Sequence, residues 1–234
     1  MTHLAFSFAG VDLHALPSGA LFWPEQRLLC VSDLHLGRSE RIARHGGQII
    51  PPYENTDTLA RLDADIAATL PETVVCLGDS FDDLAATGSL TQSEAQWIAR
   101  LQAGRRWIWI EGNHDPAPLD LGGSHLRDLA LGALTFRHIA EPGAQGEISG
   151  HYHPKFTLPG RGGGLSRPAF LFDDQRLILP AYGTYTGGMA ITRQPLRGLV
   201  AASAHVILTG PKPRLLPAYS AAMSRKRPAS SRPG

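Results

Sequence analysis

The chain of 234 residues has only two cysteines, Cys30 and Cys76, and no apolar run near the ~18 residues that a membrane helix needs. Two thiols cannot build a disulfide framework, so a buried apolar core must hold the fold and nothing directs the chain to an oxidising compartment. The opening stretch "MTHLAFSFAGVDLHALPSGALFW" lacks a basic segment before its apolar residues, and His3, Asp12 and His14 interrupt it. It therefore does not read as a secretory signal, and the cytoplasm is the expected location. Charge of one sign is also missing: 22 Lys plus Arg against 21 Asp plus Glu leave +1. Total charge therefore announces neither a nucleic-acid nor a membrane partner, and any basic surface has to be local. No internal repeat interrupts the chain.

What is present is a β-α-β-α-β order in the first half. "RLLCVS" (27–32), "TVVCLG" (73–78) and "RWIWIEG" (106–112) are apolar runs of strand length, each ending in small or polar residues. Between the first two, Leu59, Leu62, Ile66 and Leu70 share one helical face behind an Asn or Thr cap. Between the second and third, Thr91 and Glu94 form a capping box and Gly104 a stop signal. Cys30 and Cys76 each lie three residues before an aspartate, so on neighbouring parallel strands the two thiols are expected almost side by side, buried and reduced. From 134 onward short strand candidates follow one another with almost no helix: "LTFRHIA", "GEIS", "PAFLFD", "RLILP", "GMAIT" and "AHVILTG". The pattern predicts an α/β fold with a mixed two-sheet core and helices outside. It forms one domain over 1–217, and the Ser/Pro/Arg-rich segment 218–234 reads as a disordered basic tail.

Oxygen and imidazole side chains recur at the ends of these strands. In order they are Asp33 and His35 in "SDLHLG", Asp79 and Asp82 in "GDSFDD", Asn113 and His114 in "GNHDP", His138 in "FRHIA", and His151 and His153 in "GHYHP". Alternate residues share one side of an extended chain, so D-x-H and H-x-H each present two ligand types together. Singly, Asp, Asn and Gly at strand ends are ordinary turn chemistry, and a lone histidine in an apolar strand is usually a packed core ring. Five such elements in succession are not.

The order D-x-H, G-D-x-x-D, G-N-H-D, H, G-H-x-H resembles that of the calcineurin-like metallophosphoesterases. The resemblance implies a four-layer α/β/β/α sandwich of two mixed sheets holding two divalent metal ions. By that resemblance Asp33, His35 and His153 hold one ion, Asn113, His138 and His151 the second, and Asp79 bridges them. His114 would then protonate the leaving alkoxide and Asp82 would orient His114, with Asp83 and Asp115 as competitors for that task. Two cations neutralise an anionic ester and ionise a bridging water at neutral pH. The mixed N/O ligands suit Mn, Fe or Zn better than Ca or Mg, and ligand type does not pick among those three; Mn is the expected ion, with Fe or Zn as alternatives.

The segments "HGGQIIPPYENTDTLARL" and "RLILPAYGTYTGGM" are similar to one bacterial branch of that family, the ligase-associated DNA damage response phosphoesterases. That similarity implies a DNA-processing nuclease in repair, associated with a DNA ligase, an exonuclease and a helicase. Arg38, Arg44 and Tyr53, in the loop after "DLHLG", are candidate substrate-binding residues, with Arg41, Arg161, Arg167 and Arg193 as further loop cations. The alternatives are a small-molecule phosphomonoesterase or nucleotide phosphatase and a non-catalytic scaffold. The scaffold normally requires eroded ligands, and none is eroded here.

Overall fold

Strand-forming runs in the first half pair nearly in sequence order. The structure, a computed structural model, describes residues 2–47, 50–83, 88, 90–114, 121–158 and 164–219. The first sheet contains β1 (Leu4–Phe8), β2 (Val11–Ala15), β3 (Leu21–Trp23), β4 (Leu28–Ser32), β5 (Thr73–Leu77), β6 (Arg106–Ile110) and β7 (Ser124–Leu126), side by side in that order. Pairing is antiparallel up to β4 and parallel from β4 to β7. The β1–β2 hairpin turns on Ala9 and Gly10, both at positive φ, which matches strand twist in a two-residue loop. Strand β4 is buried throughout and β5 and β6 at four of five positions, as parallel strands covered on both faces must be.

Helices α2 (Glu54–Thr69) and α3 (Gln92–Gln102) cross over between the parallel strands, and the short α1 (Arg38–Arg44) follows β4. Leu59, Leu62 and Ile66 of α2 are buried as their spacing predicts. Leu70 is not: it caps the helix in a left-handed conformation and points to solvent, because the chain must reverse there to enter β5. The expected Asn or Thr cap is also absent. Tyr53 occupies the cap position, and the Asn55 Oδ1 instead accepts from Gly37 N at 2.8 Å, docking α1 onto α2. The Thr91–Glu94 capping box forms as expected, and Gly104 follows the Ala103 cap with φ 74°.

The second sheet is built from β8 (Asp128–Leu131), β9 (Leu134–Arg137), β10 (Glu147–Ser149), β11 (Pro154–Leu158), β12 (Leu165–Phe172), β13 (Arg176–Ile178) and β14 (Met189–Ala190). Its order is β14-β11-β12-β13-β10-β9-β8, and β15 (His205–Leu208) and β16 (Arg214–Pro217) continue from β12. The pairs β9–β10, β10–β13 and β11–β14 are parallel and the rest antiparallel, so the sheet is mixed. Leu21, Cys30, Val75, Ile108, Phe136, Ile148, Phe170 and Ile207 interlock between the two sheets. The outer face of the first sheet is covered by α2 and α3, and that of the second by the one-turn α4 (Leu196–Leu199) and its flanking turns. This is the four-layer α/β/β/α arrangement, with a thin fourth layer. No described helix is long and apolar enough to cross a membrane.

The cysteines correct an expectation. Register places Val31 opposite Cys76 and Cys30 opposite Val75. The strands pair residues 45 apart whereas the thiols are 46 apart, and one residue of offset sends side chains to opposite faces. Cys30 lies between the sheets and Cys76 beneath the helices, both buried. The packed chain also runs beyond residue 217: Ala218 is buried, and the Tyr219 ring lies under the Arg197 guanidinium while its hydroxyl donates to Ile191 O at 3.1 Å. Arg225, Lys226, Arg227 and Arg232 of the expected basic tail lie outside the described residues.

Two turns carrying ligands leave no room for a side chain. A Cβ on Gly150 would collide with the Ser32 hydroxyl and come within 2.6 Å of Asp33 Oδ2, and one on Gly78 would collide with the His138 ring. Gly150→Ala is therefore expected to lower stability by ~1–3 kcal/mol, whereas Gly187→Ala, with open space at its Cβ, is expected to be near neutral. Denaturant unfolding of the two variants checks this, and equal midpoints would show that the turn can relax.

Candidate metal centre

Every proposed ligand follows the C-terminal end of a strand. Asp33 and His35 leave β4, Asp79 leaves β5, Asn113 leaves β6, His138 follows β9, and His151 and His153 follow β10. Parallel pairing aligns β4, β5 and β6, so three chain reversals deliver polar side chains to one end of the first sheet. Asp33, His35, Asp79, His151 and His153 all hold φ between 44° and 68°. Non-glycine residues in this region carry ~1–3 kcal/mol of strain each and persist only where surroundings enforce it. The enforcing contacts are backbone bonds between the turns. His35 N donates to Asp79 O at 2.9 Å, Leu36 N to Ser80 O at 2.9 Å and Gly150 N to His138 O at 3.0 Å.

The side chains converge in two groups, each able to hold one ion. Asp33, His35 and His153 form the first, and Asp79, His138 and His151 the second, with candidate ligand atoms within 4.8 Å of one another in each. In the first, His153 Nε2 lies 3.3 Å from Asp33 Oδ1 and 3.4 Å from His35 Nε2. In the second, His138 Nε2 lies 3.3 Å from Asp79 Oδ2, 3.2 Å from His151 Nδ1 and 3.0 Å from Asn113 Oδ1. Asn113 thus joins the second group, and His138, the lone strand histidine, is a ligand candidate rather than a core ring. The other unmatched histidines pack elsewhere: His3 stacks on His14, His125 on Trp109, and His205 lies beside Phe172. His45 ends α1 and is exposed.

The donors suit divalent cations on three grounds. His138 Nδ1 faces the Leu77 carbonyl at 3.0 Å, an acceptor only, which keeps the hydrogen on Nδ1 and leaves the Nε2 lone pair toward the group. His35 Nδ1 likewise faces Asp82 Oδ1 at 2.9 Å, leaving its Nε2 toward His153. The carboxylates are held ionised despite burial. Burial pushes Asp33 upward, but His153, His138 and the Ser32 hydroxyl together bring it below the usual range. For Asp79, burial is likewise outweighed by His138, the His114 amide and His35. In return, burial pushes His138 down while Asp79 and Asp33 lift it above an ordinary histidine; His151 is lowered by burial and by His138. Buried anions ringed by lone pairs are a ligand set, and glycine at 78 gives the His138 ring space and glycine at 150 the Asp33 carboxylate.

Asp82 meets His114 through its backbone carbonyl rather than its carboxylate. Its carboxylate, buried, faces His35 and accepts from Arg38 Nη1 at 2.9 Å and Arg41 Nη1 at 3.0 Å. Burial would raise it, but His35, Arg41 and Arg38 hold it at about 2. His114 Nδ1 instead meets the Asp82 backbone carbonyl at 2.9 Å, and His114 N donates to Asp79 Oδ1 at 2.9 Å. The physical reason is α1, which carries both arginines over the "GDSFD" turn and draws the carboxylate toward itself. Arg44 is tied to Glu40 at 2.8 Å and Asp83 at 2.9 Å, whose carboxylates raise its already high pKa. Arg38 and Arg44 are thus engaged by acids, while Tyr53 is exposed at the start of α2. Asp115 and Arg161 lie outside the described residues. Sequence reasoning missed Ser32, whose hydroxyl donates to Asp33, and the Leu77 carbonyl; each lies just outside the ligand positions of its motif.

Because Asp82 backs a ligand histidine, Asp82→Ala is expected to weaken one of two metal sites by ~10–100-fold while sparing the other, as loss of an outer-shell partner does. Metal titration followed by calorimetry measures both sites, and equal weakening of the two would contradict the assignment.

The chain's relatives agree with this geometry. The family described as calcineurin-like phosphoesterase matches residues 26–179, from just before β4 to just after β13. No curated protein gives a significant match. Among solved structures, the nuclease MPE of Pseudomonas putida is 30% identical, with a TM-score of 0.72 over 91% of this chain and 100% of that one. The two ligand groups, the two mixed sheets and the match across most of both make the chain a member of the calcineurin-like phosphoesterases.

Proposed function

We propose that this chain is a binuclear, manganese-dependent phosphodiesterase that cleaves DNA in repair, working alongside a DNA ligase, an exonuclease and a helicase. The observation that carries the chemistry is the pair of adjacent ligand groups with His114 beside them. The nuclease assignment is supported by the likeness to the Pseudomonas putida nuclease. When bound, two divalent ions supply charge neutralisation for an anionic ester and a water ionised near neutral pH. Asp33, His35 and His153 would hold one ion and Asn113, His138 and His151 the other, with Asp79 shared.

The remaining work belongs to His114. The Asp82 carbonyl holds its Nδ1 and Asp79 holds its backbone amide, which fixes the ring 5.5 Å from that of His35, centroid to centroid. With Nδ1–H anchored on a carbonyl, the proton that the imidazolium form would hand over is the one on Nε2. An alkoxide leaving group needs that proton, and a positioned acid contributes ~10²–10⁴ in rate. Asp82 contributes through its backbone to His114 and through its side chain to His35, so one residue positions an acid and a ligand.

Two results are expected. His114→Ala should retain both metals yet lose ~10²-fold or more on DNA, with a much smaller loss on a nitrophenyl diester whose leaving group needs no proton; equal losses on both would remove the acid role. Asp79→Asn should release more metal than Asp33→Asn, since it serves both ions. Hydrolysis of phosphomonoesters without any diester or DNA cleavage in Mn, Fe or Zn would replace the nuclease by a small-molecule phosphatase.

A further inference from the structure

The first half of the chain is rich in arginine but offers few free cations. On α1 and α2 every arginine meets a carboxylate: Arg38 and Arg41 meet Asp82, Arg44 meets Glu40 and Asp83, and Arg61 meets Asp57. A strand of DNA would have to displace those acids to use them. Unpaired positive charge lies in the second sheet. Arg167 on β12, Lys212 in the β15–β16 turn and Arg214 on β16 form no ion pair with any described residue, and they line one cavity of about 350 Å³. None of its nine lining residues is acidic. In a chain of net charge +1 this is a local excess with no counter-charge among the described residues.

The cavity is shaped around the Arg167 guanidinium. A Cβ on Gly210, φ 116°, would lie 2.5 Å from Arg167 Nη1, so glycine makes the approach possible. The loop holding Gly210 is pinned: Gly210 N donates to Pro17 O at 2.9 Å and Thr209 Oγ1 to Pro168 O at 2.9 Å. Beside it the lining is apolar: Leu165, exposed, lies two residues before Arg167 on the same face of β12, and Leu158 is its cross-strand partner. A planar fork of donors beside an apolar wall suits a group that is anionic at one end and flat and apolar at the other. A nucleotide unit has that form.

We propose that this cavity anchors one nucleotide of a DNA strand whose scissile phosphate lies at the metal centre; the proposal rests on the nuclease reading and names the phosphate-binding surface that reading lacks. Strand β11 starts immediately after His153 and ends at Leu158 in the cavity wall, ~17 Å along an extended chain. At ~3.4 Å per nucleotide that span is on the order of five nucleotides.

The test compares wild type with Arg167→Ala, Arg214→Ala and their combination, using Arg167→Lys to keep charge while losing the fork. Substrates are a bis-nitrophenyl diester, an oligonucleotide of about 3 nucleotides and one of about 20, chosen either side of the estimated span. The expected result is unchanged turnover of the two short substrates and a KM for the long DNA raised several-fold at constant kcat. Its salt slope should fall by ~0.7–0.9 per lost phosphate contact. Long-DNA KM and salt slope equal to wild type overturn the proposal, as does an equal loss on the small diester. Saturable binding of free dAMP that is lost in Arg167→Ala while long-DNA KM stays constant also overturns it, assigning the cavity to a free nucleotide instead. If wild type cleaves no DNA, the nuclease reading itself fails; the anchor is then judged by binding of the uncleaved long DNA, and equal affinity of wild type and double variant sinks it.

Discussion

Two carboxylates, Asp33 and Asp79, are buried at the junction of two sheets and kept ionised there, and much of the structure follows from that constraint. An isolated carboxylate in such a place would take up a proton, because desolvation penalises its charge by several kcal/mol. Here imidazoles, a serine hydroxyl and backbone amides oppose the penalty. Asp33 accepts from Ser32 Oγ and His151 N, and Asp79 from His114 N. Those donors come from β4, from the turn after β10 and from the turn after β6. Holding two charges therefore requires both sheets to close on one another in a single register.

That requirement explains where backbone strain is concentrated. Five of the seven proposed ligands occupy the left-handed region, and the turns carrying them cross-bond through main-chain groups as well as through the two carboxylates. The side chains are thereby left to converge on a common point. A relaxed turn would aim them along the strand and outward. The interlocked core between the sheets supplies the stability that this strain draws on, since a fully buried large apolar side chain stabilises by ~1.5–3 kcal/mol. Gly78 and Gly150 are the complementary device, removing side chains where a ring and a carboxylate must pass.

How legible this was in the sequence depended on the range over which the information is written. Strands β4, β5 and β6, the capping box of α3 and the ligand motifs are local patterns, readable because each fits within six residues or so. The N-terminal strands β1–β3 escaped notice because the stretch was weighed as a possible signal and then set aside, although "LAFSF" and "VDLHA" alternate in burial as half-covered strands do. Strands β11 and β16 adjoin the proline-flanked "GHYHP" and the terminal segment, where turn residues hide short strands. Register was out of reach: nothing in "LLCVS" and "TVVCL" says that the pairing offset is 45, and that one residue decides which face each cysteine takes. The partition of Asp82 between His35 and His114 was likewise unreadable, since it depends on where α1 sets Arg38 and Arg41.

The α1 arginines show why a motif identifies ligands more readily than substrate contacts. A ligand's role is set by the turn it stands on, and that turn is encoded beside it. An arginine's role is set by whichever anion lies within reach of a long side chain, and that anion can come from anywhere in the fold. Arg38, Arg41 and Arg44 follow "DLHLG" and look poised for phosphate, yet Asp82, Asp83 and Glu40 already engage them. Asp82, held at about 2, remains an anion at any working pH and keeps that engagement. Near-neutral net charge thus conceals a division: arginines beside the metal centre meet acids and brace a ligand histidine, while Arg167, Lys212 and Arg214 of the second sheet meet no described acid and are left to what arrives from solvent.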